Sequence, residues 1–110
     1  MIRILGLTLI LVLAIPATNS PLLAQDTAAG RALAVKHCGS CHAIGRTGDS
    51  PELRAPPFRV LMQRYKAEQL EEALAEGIVV GHPLMPEFVF EPVEISNLTG
   101  YFETLAPNRR

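Results

Sequence analysis

No apolar run in this chain reaches the roughly 20 residues that a membrane-spanning helix needs; the longest, residues 4–15, stops well short of it. Cysteine is scarce, with 2 in 110 residues. A single bridge between positions 38 and 41 would close a tiny loop and stabilise little, so disulfides are no basis for this fold. No cysteine lies near the end of the apolar run, which argues against a lipid-anchored form. Internal repeats and low-complexity tracts are missing as well, which leaves room for one domain and no array. No strand-helix-strand pattern surrounds the cysteines, so a redox dithiol lacks its usual setting. With a formal net charge of −1, no nucleic-acid partner is expected.

What is present begins with an address. Arg3 gives a positive start, residues 4–15 are apolar, and residues 16–24 are polar and end on Ala24. That layout predicts a secretory signal peptide over residues 1–24, cut between Ala24 and Gln25, and a mature domain over residues 25–110. Ala17 and Ser20 are also small enough to precede a cut. The mean hydropathy of +0.21 owes much to this leader. The expected location is the periplasm or another exported compartment. A domain so small buries little apolar surface unaided and commonly needs a disulfide, metal or cofactor.

The cysteines sit in Lys36-His37-Cys38-Gly39-Ser40-Cys41-His42, which holds the Cys-x-x-Cys-His pattern of covalent haem attachment. On a helical backbone, residues three and four apart share a face. Two thiols can then add to the vinyl groups on one porphyrin edge while His42 reaches the iron from the same side. A structural zinc site could formally use Cys38, Cys41, His42 and either His37 or His82, although the spacing matches no common zinc module. Haem attachment is the reading that uses all three motif residues and an exported compartment together.

An alanine-rich stretch from Asp26 to His37 predicts a helix that delivers the motif, capped by Asp26 or Thr27. Gly30 within it costs about 1 kcal/mol relative to alanine, and suggests a close helix crossing. Residues 45–57 hold Gly45, Gly48, Pro51, Pro56 and Pro57 without an apolar period, and predict a loop. Short helices are expected over residues 58–65 and 67–76. The second has Leu70, Ala73 and Leu74 on one face, Glu68, Glu71, Glu72 and Glu76 on the other, and Gly77 as a stop. Pro83 and Pro86 bracket Leu84 and Met85 and forbid a helix there. Pro92 opens a last helix in which Ile95, Leu98, Phe102 and Leu105 repeat at helical spacing, and Pro107 ends it. The expected fold class is all-α, with three to four helices around one covalently attached haem.

The sixth position on the iron separates electron transfer from ligand chemistry. Met85 is the first candidate, on an extended loop far enough from His42 to reach the other side of a haem. His82 is the alternative, while Met62 has the spacing of a core residue and His37 is expected to be exposed.

These parts together make the chain resemble a small bacterial class I cytochrome c. The family has a helix leading into Cys-x-x-Cys-His, a proline-rich loop, a methionine loop followed by proline, and a last helix crossing the first. The resemblance implies one haem c on Cys38 and Cys41, with His42 and Met85 as iron ligands. It gives Gly30, Leu98 and Tyr101 to the crossing, where Ala34 replaces a frequent aromatic. It also implies a proline carbonyl that accepts from the His42 imidazole, with Pro56 the first candidate and Pro57 next to it. The implied function is single-electron transfer with a dehydrogenase, reductase or terminal oxidase, by a carrier that is not itself an enzyme. A free sixth position would point instead to gas binding, sensing or weak peroxidase activity. Membership of a larger exported complex is a third reading.

Basic residues outnumber acidic ones between Gln25 and Lys66, whereas every charged residue from Glu68 to Glu103 is glutamate. The basic, motif-bearing half is therefore expected to face an acidic partner. Reduction rates with such a partner should fall as salt rises in stopped-flow mixing, and rates flat across ionic strength would remove this orientation.

Overall fold

Asp26 starts the first helix by accepting a hydrogen bond from Ala29 N–H at 2.9 Å, a side-chain cap on an otherwise orphaned donor. The computed structural model describes residues 24–77 and 84–108. The expected leader, apart from Ala24, lies outside the described residues, as does His82. Helix α1 runs Thr27–His37, with Lys36 and His37 in a last turn where positive charge suits the helix dipole.

Helix α2 spans Phe58–Arg64, one residue shorter than expected because Tyr65 turns to extended backbone at φ −122°, ψ 151°. Helix α3 spans Ala67–Glu76. Gln69 Oε1 accepts from Lys66 N–H at 2.9 Å at its start, and Gly77 closes it at φ +81°, a region that favours glycine. Helix α4 spans Pro92–Leu105. Proline sits in its first turn, Glu94 Oε2 accepts from Glu91 N–H at 2.9 Å, and Ala106 turns extended before Pro107. The described residues form four helices and no strand, the all-α arrangement expected.

Helix α4 packs on each of the other three. Ile95, Leu98, Phe102 and Leu105, expected on one face, are all buried, and Tyr101 joins them. The core also takes Ala34, Phe58, Met62 and Ala67, with Leu70 and Leu74 half-buried against it. Glu68, Glu71, Glu72 and Glu76 stay exposed. Thr99, 1% exposed, satisfies its hydroxyl by donating to Ile95 O at 2.8 Å.

The crossing of α1 over α4 is closer than side-chain packing allows. A Cβ on Gly30 would lie 1.9 Å from Asn97 O and 3.0 Å from Tyr101 Cβ. The backbone of Asn97, next to buried Leu98, comes nearest to Gly30, and Asn97 Oδ1 also accepts from Asp26 N–H at 2.9 Å. One turn on, Ala34 is 0% exposed. The small side chain where the family often has an aromatic lets the helices stay close.

Two effects compete in a Gly30→Ala protein. Helix propensity would add about 1 kcal/mol, while overpacking against a backbone carbonyl that cannot rotate away costs about 1–3 kcal/mol. A net loss of about 1 kcal/mol is expected in urea unfolding of the haem-loaded protein, and a gain would mean that the helices separate freely.

Candidate functional site

Helix α1 stops at His37, and a hydrogen-bonded turn, not the helix itself, gathers the motif. Cys38 N–H still donates to Ala34 O at 2.9 Å, then Cys41 N–H and His42 N–H both donate to Cys38 O at 3.1 and 2.9 Å. One peptide carbonyl thus sets the positions of both residues that follow. Cys38, Cys41 and His42 line a single cavity of about 470 Å³, with Pro56 from the loop and Leu84, Met85 and Phe88 from the later segment.

The His42 ring is held from two sides. Nδ1–H donates to Pro56 O at 2.7 Å; a carbonyl only accepts, so Nδ1 carries the proton, and in the neutral ring that tautomer leaves the lone pair on Nε2. Phe58 stacks on the imidazole at 5.0 Å and 21°, and Phe58 itself rests on Phe102 of α4 at 4.5 Å and 29°. Pro57 takes no part in this, because its carbonyl accepts from Val60 N–H and Leu61 N–H at 2.9 and 3.1 Å to start α2.

The loop is stitched to the motif by backbone groups. Glu52 N–H donates to Cys41 O at 3.2 Å, and Phe58 N–H donates to Ala43 O at 3.0 Å. Buried Ser50 accepts from Ala43 N–H through Oγ at 3.0 Å. Tyr101 Oη donates to Ile44 O at 2.7 Å, tying the start of the loop to α4.

Burial pushes the Cys38 thiol up to about 11, because an apolar wall disfavours the thiolate. A thioether at this place would carry no charge to desolvate. At the rim, Arg54 Nε donates to Glu52 Oε1 at 2.9 Å. That hydrogen bond, reinforced by a second from the Arg54 backbone and by charge, holds the Glu52 carboxyl below the usual carboxylate range.

Of the methionines considered as iron ligands, Met85 borders the cavity, whereas Met62 is 1% exposed within the helical core. The expectation that His37 is exposed is corrected: it is half-buried, and its ring meets Phe88 and Phe90 at 5.6 and 5.3 Å. Sequence reasoning also missed Phe58 and Ser50. Phe58 reads as an ordinary core aromatic after Pro57, and Ser50 as one more polar loop residue; only the folded loop brings them to the motif.

The residues present fit a haem. Two thiols and an imidazole with a free Nε2 converge on a cavity whose volume falls within the roughly 300–1,000 Å³ of small-molecule and cofactor sites. Compared with known proteins, a cytochrome c family model matches residues 27–106. A curated relative, described as cytochrome c6 of a Picosynechococcus species, is 29% identical over 114 residues, covering 98% of this chain and 97% of the relative. No solved structure matches the chain significantly.

Ser50→Ala removes the acceptor for Ala43 N–H and leaves a buried donor unpaired, at a cost of about 1–3 kcal/mol. Urea unfolding of the haem-loaded protein should show this loss; an unchanged midpoint would mean that water replaces the hydroxyl.

Proposed function

The chain belongs to the cytochrome c family and carries one covalently attached haem c, and from this premise we propose that it shuttles single electrons with His42 and Met85 as the axial pair. Haem-based electron transfer is the family's function. The finer assignment rests on one observation: Cys38, Cys41, His42 and Met85 border the same cavity. When bound, the group supplies one-electron cycling of its iron.

The residues divide the remaining work. Cys38 and Cys41 would hold the porphyrin by thioether bonds, so that it is not lost on exchange with solvent. His42 would ligate through Nε2, with Pro56 O fixing ring orientation and raising its basicity through Nδ1–H. Phe58 limits tilting of the imidazole by stacking on it. Met85 would supply a thioether, which keeps the reduction potential higher than a second histidine would. With His42 and Met85 both holding the group, little would have to move between oxidation states and no place would be left for an external ligand. This supports a carrier rather than an enzyme.

The proposal extends to the chain's organisation. Residues 1–24 form a cleaved leader and residues 25–110 the haem domain, which acts in the periplasm or an equivalent exported compartment. The family match, beginning at residue 27, supports that division. The partners are redox proteins of the dehydrogenase, reductase or terminal oxidase class.

The test is the visible spectrum of the reduced, haem-loaded protein with and without carbon monoxide. The native protein should be unaffected, Met85→Ala should bind the gas at once, and Met85→His should stay closed with a lower reduction potential. A native protein that binds carbon monoxide as readily as Met85→Ala would overturn the ligand assignment and favour gas binding, sensing or weak peroxidase activity.

A further inference from the structure

Residues 84–90 carry Met85 but contain no helix or strand, and no hydrogen bond ties them to another part of the described chain. Ring contacts hold them instead. The His37 ring meets Phe88 edge-on, with centroids 5.6 Å apart and planes at 70°. It meets Phe90 in the same manner at 5.3 Å and 82°. Phe88 and Phe90 lie over each other at 5.6 Å and 25°. Each of the three rings therefore touches both others, in the edge-to-face and offset geometries that aromatic quadrupoles favour.

Two corners of this triangle are anchored. His37 is the last residue of α1, next to Cys38, and Phe90 also packs against the helical core. The third corner, Phe88, borders the cavity together with His37 and Met85. An extended segment without backbone hydrogen bonds opens locally at little cost unless side chains hold it. His37 makes two of the three ring contacts and is the member of the set that belongs to α1.

We infer that His37, Phe88 and Phe90 form a clasp between the cysteine end of α1 and the Met85 segment, and that His37 is a positioning residue controlling how often Met85 leaves the iron. The inference rests on Met85 as the sixth ligand, as proposed above. His37 acts through the segment and touches neither the iron nor the thioether bonds.

The test compares haem-loaded native protein with His37→Ala, His37→Phe, Phe88→Leu and Met85→Ala. Two quantities are read: the rate at which ferric protein captures imidazole, and amide hydrogen exchange over residues 84–90. His37→Ala should capture imidazole about ten-fold faster than native protein, equivalent to about 1.4 kcal/mol, with faster exchange confined to the segment. His37→Phe keeps a ring in place and should restore the native rate, which loss of the histidine's polarity alone would not allow. Phe88→Leu should give a smaller increase, and it carries the comparison if His37→Ala fails to fold. Native rates and native exchange in both His37→Ala and Phe88→Leu would overturn the clasp. Native protein capturing imidazole as fast as Met85→Ala would overturn the ligand assignment instead; exchange then decides the clasp, faster in His37→Ala if it exists and equal to native if it does not.

Discussion

At Gly30 the backbone of α1 comes so near Asn97 of α4 that no side chain fits between them. Gly30 and Ala34 lie along one stripe of α1, and Cys38, four residues further on, caps the end of the helix on the same side. The first two are buried in the crossing, and Cys38 is packed against the same core at the helix end. Rotating α1 to admit a larger residue would therefore turn Cys38 away from its cavity. The bond from Asp26 N–H to Asn97 Oδ1 pins the other end of the same contact. Position along α1, rotation about its axis and placement of the cysteine pair are one constraint.

Helix α4 carries that constraint across the molecule. Phe102 supports Phe58, which stacks on His42, while Tyr101 holds the carbonyl of Ile44, just beyond the motif. The imidazole thus receives a polar restraint from Pro56 on the loop and an apolar one traceable to α4. For an electron carrier this arrangement is useful because a ligand fixed in orientation need not reorganise when the oxidation state changes. The other side of the cavity is built differently, from a segment held by rings rather than by hydrogen bonds. One half of the site is rigid by construction and the other is held by fewer contacts, each open to substitution.

Charge follows the same division of the chain. The glutamates of α3 point to solvent on the helix face away from the core, while the basic residues Arg31 and Lys36 are exposed on α1, the helix that leads into the motif. At the rim of the cavity Arg54 is paired with Glu52 and contributes less net charge than its position suggests.

Much of the fold was legible in the sequence because local rules decide it. Helix limits follow from Asp26, Gly77, Pro92 and Pro107, each of which acts on its own backbone, and the buried face of α4 follows from the spacing of Ile95, Leu98, Phe102 and Leu105. The family and its haem followed from Cys38, Cys41 and His42, three residues within one turn. Contacts between distant residues could not be read this way. That Pro56 rather than Pro57 meets His42 was decided by which carbonyl was left over once Pro57 had started α2. That His37 is covered was decided by Phe88 and Phe90, some fifty residues away along the chain. The sequence by itself determined the elements and the chemistry of the cofactor, since these depend on neighbours three or four residues apart; only the tertiary structure decided how the imidazole is oriented and what restrains the methionine segment, since those depend on groups that meet only after the chain has folded.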